Sequence, residues 1–156
     1  MSAPLRLRVF VQNRVGRKGV PIARSFERWA RAALSKRRHG LTEINIVLFG
    51  EAEARALNRR YRRNDYATNV LSFPYEKLRR EKLALLGDIA LCPAVIAHEA
   101  RVQGKRLRDH YAHLTVHGVL HLLGHDHANA RDAAAMEAIE RHVLAGFDIP
   151  DPYAVP

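Results

Sequence analysis

The chain is short of cysteine, of acidic side chains and of uninterrupted apolar sequence. Its single cysteine, Cys92, excludes an internal disulfide framework and fits a reducing compartment, where it reads as a small core hydrophobe. No apolar run approaches the roughly 20 residues that cross a bilayer. The N-terminal MSAPLRLRVFVQN also lacks the continuous apolar stretch of a secretory leader. These absences predict a cytoplasmic chain with no membrane partner. Acidic residues number 16 against 26 Lys and Arg, a formal net charge of +10. Such an excess favours polyanionic partners, nucleic acid foremost, with a plain solubility charge as the competing explanation.

What is present is ordinary globular composition: 156 residues, 47% hydrophobic and 27% charged, without repeats or linker-like tracts. Residues 1–156 are expected to form a single domain. Leu5, Leu7, Val9 and Val11 alternate with Arg6, Arg8, Phe10 and Gln12, the period of a strand. Pro21 is expected to open a helix whose core face is Ile22, Phe26, Trp29, Ala30, Ala33 and Leu34, with Arg24, Arg28, Arg31 and Arg38 on the other side. Further strands are predicted at 44–49, 70–73 and 89–92, and further helices at 51–60, 94–103, 107–123 and 128–145. A charged excursion, EKLRREKL, separates the strands at 70–73 and 89–92. The tail 147–156, FDIPDPYAVP, carries three prolines and is expected to be extended or loose. The pattern predicts an α+β fold, a small mixed sheet of about four strands packed with about five helices. It allows parallel pairs through the βα spacing and an antiparallel hairpin between the strands near 71 and 89.

Histidine is concentrated: six of nine lie between residues 110 and 127. On a helix His117 and His121 share one face about 6 Å apart. Gly124 permits the left-handed turn that swings His127 back toward the same point. Three neutral imidazoles with an open fourth position are the ligand set of a catalytic zinc site. His113 with His117 has the same spacing, but lies a turn further from Gly124, where no third ligand returns. A closed structural site would need a fourth, usually thiolate, ligand, and Cys92 is the sole thiol. Isolated histidines at 39, 98 and 142 read as ordinary packed or surface residues.

The spacing His117-x-x-x-His121-x-x-Gly124-x-x-His127 matches the metzincin zinc-binding helix and turn. Those proteases place Glu after the first histidine as general base, whereas here Gly118 stands there and can accept no proton. The longer string HGVLHLLGHDH resembles the signature of the bacterial YbeY-type rRNA maturation endoribonucleases. Leu57-Asn58, Tyr61-Arg62, Asp65, Thr68 to Pro74, Leu86 to Ile89, Met136-Glu137 and Asp151-Pro152-Tyr153 extend the match over about residues 44–153. His125 departs from it, since the family often has Tyr there.

The resemblance implies a metal-dependent, single-strand-directed endoribonuclease acting in 16S rRNA 3′-end maturation and ribosome quality control. It implies one zinc ion on His117, His121 and His127, a functionally important arginine at Arg62, and single-stranded rRNA and the small ribosomal subunit as partners. No nucleotide cofactor is expected. Arg62 and His117 are thus the catalytic candidates, the arginine as a planar donor fork for a phosphodiester oxygen. Asp126, Asp88 or a second histidine are candidates for proton transfer or for support of the ligands. Arg59, Arg60, Arg63 and Tyr61 are RNA-binding candidates. Arg14, Arg17 and Lys18 and the 24–31 stripe could extend a basic groove, and Tyr61 and Tyr66 could stack on unpaired bases. Plain exposed helix faces and aromatic core packing are the competing explanations. A zinc peptidase and a non-catalytic, metal-stabilised ribosome-assembly factor are the alternative functions.

Overall fold

The computed structural model describes residues 4–34, 40–75 and 85–154. Among these residues the order is β1 (Arg6–Asn13), α1 (Ala23–Ala33), β2 (Leu41–Leu48), α2 (Glu51–Arg62), β3 (Val70–Pro74), β4 (Leu85–Leu91), α3 (Pro93–Gln103), α4 (Leu107–Leu122) and α5 (Ala130–Ala145). This is the expected α+β architecture. The sheet runs β1-β2-β4-β3, with β1, β2 and β4 mutually parallel and β3 antiparallel to β4. The hairpin between the strands near 71 and 89 is therefore present, and α1 makes the crossover that a parallel β1–β2 pair requires.

Alternation along the strands decides which residues reach the core. Ile44, Ile46 and Leu48 are wholly buried and join Phe26, Trp29, Tyr111 and Leu120 in one apolar cluster. Phe26 meets Trp29 and Tyr111 edge to face, at centroid distances of 5.6 and 6.1 Å. Helix α4 is buried on nearly every side, which explains its lack of a polar stripe: α1, α3, α5, β3 and β4 all touch it. On the opposite sheet face α2 lays Ala54 and Leu57 near Leu71 and Ala90.

Two expectations are corrected, and one pair of alternatives is narrowed. Pro21 lies before the first helical residue, Ala23, and Ile22 is 69% exposed because the N-cap precedes the amphipathic face. The 24–31 arginines are an exposed helix face: Arg31 is bonded to Glu27 at 3.4 Å and Arg28 lies over the Phe147 ring. The tail is docked. Phe147 and Ile149 pack against the core, Lys105 Nζ donates to Pro152 O at 2.7 Å, and Arg141 Nε donates to Asp151 at 3.0 Å. Its prolines bar the helix from continuing, yet the described residues beyond α5 stay fastened to the body of the protein. Arg38 and the EKLRREKL excursion lie outside the described residues.

Candidate metal centre and cleft

The last two turns of α4 point His117 and His121 to the same side, with Nε2 atoms 3.1 Å apart. Gly124 then takes φ +98, a left-handed conformation that a side chain would strain. Its N–H donates to His121 O, and the His125 N–H reaches back to Leu120 O, both at 3.0 Å, closing the helix end. Asp126 Oδ1 accepts from the His127 N–H at 2.7 Å and holds the returning chain. The His127 ring consequently lies 5.6 Å from that of His117 and 5.0 Å from that of His121. One nitrogen from each ring falls within 4.8 Å of the others.

Two donors on one tetrahedral zinc at about 2.05 Å stand about 3.3 Å apart. The Nε2 pair already has nearly that separation, so the three residues fit a metal ion. Burial first, then the neighbouring His117 and His127, hold the His121 pKa below its ordinary value. A neutral ring keeps the lone pair a metal needs.

The three rings open into a cleft of about 650 Å3 lined also by Arg62, Thr68, Asn69, Ser72, His125 and Asp126. Arg62 reaches it because α2 ends at a defined place. Arg63 takes φ 60 as the helix cap, Asn58 Nδ2 donates to Tyr66 O at 2.9 Å, and Arg55 forms a two-pronged bond to Asp65 at 2.8 and 3.0 Å. The Arg62 guanidinium crosses the Phe73 ring and donates to Ser72 O at 3.2 Å. Among the described residues two of its N–H groups are bonded to carbonyls, which leaves three of the five that a guanidinium offers.

The other candidates separate. Asp126 is exposed at the cleft beside His127. Asp88 is elsewhere: Gly87 and Ile89 face α4, so alternation sends Asp88 to the opposite sheet face, where it accepts from Asn45 Nδ2 at 2.9 Å. Arg59, Arg60 and Arg63 are exposed along and just past α2 but do not line the cleft. Tyr61 is 49% exposed and meets Phe73 edge-on at 5.2 Å, with Arg60 over its ring. Tyr66 is exposed as well. Arg14 is bonded to Glu53 at 3.0 Å.

Sequence reasoning missed the carboxylates behind the histidines. Glu140 of α5 is fully buried, with Oε2 2.5 Å from His113 Nε2 and 3.5 Å from His117 Nδ1, and Tyr153 Oη donates to it at 2.9 and 3.0 Å. Burial alone would raise the Glu140 pKa; the His113 and His117 imidazoles outweigh it and bring it to about 2. Glu99 of α3 similarly takes His110 Nε2 at 2.9 Å and the Asn69 amide at 3.0 Å. The signal available was the helical spacing of Met136, Glu140 and Leu144, which puts Glu140 in the middle of the buried stripe of α5.

The family model described as Endoribonuclease YbeY matches residues 11–148. The Endoribonuclease YbeY of Stenotrophomonas maltophilia (strain K279a) is 51% identical over 155 residues, 97% of this chain and 96% of that protein. The protein of the same name from Xanthomonas oryzae pv. oryzae (strain MAFF 311018) is 50% identical over 157 residues, 98% and 97% of the two chains. A solution structure from Thermotoga maritima is similar with a TM-score of 0.54 at 22% identity, covering 96% of this chain and 99% of that one, which supports the fold. The likeness thus reaches into the N-terminal third, beyond the span of the sequence motifs.

Proposed function

The chain belongs to the Endoribonuclease YbeY family, and from that premise we propose a zinc-dependent endoribonuclease directed at single-stranded RNA. Its substrate is the 3′ end of 16S rRNA, cut in maturation and quality control of the small ribosomal subunit in the cytoplasm. No helix among the described residues is long and apolar enough to cross a membrane. The observation that carries the reading is the convergence of three imidazole nitrogens beside a free arginine fork in one cleft.

His117, His121 and His127 would hold the ion, which when bound supplies Lewis-acid polarisation of phosphate oxygen and activation of water. The remaining work belongs to the chain. The unbonded N–H groups of Arg62 grip a non-bridging phosphate oxygen and stabilise the charge that grows on it, an effect worth roughly 100- to 1,000-fold in rate at comparable sites. Asp126, on the cleft wall, carries a proton. Tyr61 and Phe73 border Arg62, and the half-exposed Tyr61 ring can stack on an unpaired base that a duplex would withhold. Arg59, Arg60 and Arg63 extend the positive field along the approach.

The peptidase alternative fails at position 118. A Cβ there would lie 3.0 Å from Ile89 Cγ2 and 3.3 Å from Ser72 Oγ, so this side of α4 abuts the sheet and offers no room for a general-base carboxylate. The test is incubation of the metal-loaded and the chelated protein with single-stranded RNA, duplex RNA and casein. Cleavage of single-stranded RNA only, lost on chelation and in the Arg62→Ala and His117→Ala proteins, is expected. Equal cutting by parent and both variants would overturn the proposal. A folded, zinc-loaded protein that binds RNA without cutting it would transfer support to the assembly-factor reading.

A further inference from the structure

Glu140 is fully buried on a helix that contributes no residue to the cleft, yet it meets groups from two other segments. We propose that Glu140, braced by Tyr153 of the C-terminal tail, is a positioning residue for the metal centre, orienting His117 through its Nδ1. This rests on the reading that the three histidines hold a metal ion.

His117 has two ring nitrogens with different neighbours. Nε2 faces His121 Nε2 at 3.1 Å, on the side where the donors converge. Nδ1 is buried and has no hydrogen-bond partner at full contact, and the carboxylate oxygen Oε2 of Glu140 stands 3.5 Å away. A neutral imidazole carries one N–H. An ionised carboxylate only accepts, so Glu140 selects the form protonated at Nδ1 and leaves the Nε2 lone pair for the ion. A small rotation of the ring completes the bond.

His113, His117 and Glu140 also form a group compact enough to suggest a second ion. The 2.5 Å separation of His113 Nε2 and Glu140 Oε2 is shorter than the about 3.3 Å between donors on one tetrahedral ion. A shared proton fits that distance; a shared metal does not.

The brace has supports of its own. Tyr153 Oη contacts both Glu140 oxygens, at 2.9 and 3.0 Å, and lies 3.2 Å from His113 Nε2. Asp151 accepts from the Tyr153 N–H at 2.9 Å and from Arg141, whose guanidinium covers the Tyr153 ring, while Lys105 holds Pro152 O. The tail is therefore fastened around the one hydroxyl that points inward.

The full-length protein, its Glu140→Gln and its Tyr153→Phe variants would be titrated with zinc against a chromophoric chelator. Proton–nitrogen NMR of the metal-free parent would assign the His117 tautomer. Glu140→Gln is expected to weaken zinc binding about 10- to 100-fold, and Tyr153→Phe by less, with a lower melting temperature because the hydroxyl that donates to Glu140 is lost. The parent's His117 is expected to carry its proton on Nδ1. Unchanged affinity in both variants, a proton on Nε2, or two zinc ions per chain overturns the proposal. If Glu140→Gln does not fold, Tyr153→Phe and the parent's tautomer decide. A parent that binds no zinc removes the metal reading itself, a different failure from variants that bind as the parent does.

Discussion

Helix α4 carries its histidines in two halves with the same sequence spacing and different fates. His113 and His117 are four residues apart, as are His117 and His121, yet the first pair of rings lies 6.1 Å apart and the second 4.6 Å. The upper half, His110 and His113, is buried against Glu99 and Glu140, which turn the rings into proton donors. The lower half faces a cleft where a third imidazole arrives in place of a carboxylate. Spacing brings imidazoles together; the charge of the group another element delivers decides whether protons or lone pairs converge. The upper half should therefore carry stability and the lower half function, with His117 belonging to both.

The sharpest break of that comparison is a pair of substitutions. His121→Ala should reduce RNA cleavage and zinc binding to background while changing the stability of the metal-free protein by less than about 1 kcal/mol. Glu140→Ala should do what the upper half implies. It leaves His113 and the Tyr153 hydroxyl facing a void where a buried partner stood, a loss of about 3–5 kcal/mol in chemical denaturation. If His121→Ala proves the more destabilising of the two, the division of labour is wrong.

Acid should act in two steps, the first drawing on one histidine from each half and the second on Glu140 alone. Burial holds His110 and His121 below the ordinary histidine pKa, despite Glu99 raising the former. A lowered folded-state value means that the unfolded chain takes the proton first, so stability is complete above about pH 6.5 and declines as pH falls through it. The Glu140 carboxylate, at about 2 against an ordinary 4.5, adds a contribution present above pH 4.5 that is lost as pH falls toward 2. Melting temperatures of the metal-free protein from pH 8 to 3 should fall in these two steps. His121→Ala should shrink the first step and leave the second.

How much of this was legible tracks the same division. The lower half lies within eleven residues, and a helix repeat plus one glycine turn suffices to bring its rings together, so His117, His121 and His127 could be read directly. The upper half depends on Glu140 and Tyr153, which reach it by the packing of α5 and of a tail whose prolines suggested looseness. Motif position offered both Asp126 and Asp88 and favoured neither; Asp126 lies at the cleft holding the His127 amide, whereas strand alternation turns Asp88 to the far face. Sheet order likewise depends on which strand edges meet, information that no local periodicity carries.

The smallest effect concerns Gly118, which lies between the halves on the side of α4 that faces neither. Alanine there would gain about 1 kcal/mol in helix propensity. Its Cβ, however, would meet Ile89 Cγ2 at 3.0 Å, Ile89 Cδ1 at 3.1 Å and Ser72 Oγ at 3.3 Å. Ile89 is wholly buried and Ser72 Oγ donates to Gly118 O, so neither neighbour has room to yield. Overpacking of this kind costs about 1–3 kcal/mol. Gly118→Ala should thus be destabilising by about 1 kcal/mol, measured by denaturant midpoint at constant slope, with zinc affinity within about twofold of the parent because no donor is touched. A stabilised variant would mean that the helix sits off the sheet at this point. The close approach would then no longer explain why this chain has glycine where metzincin proteases have glutamate.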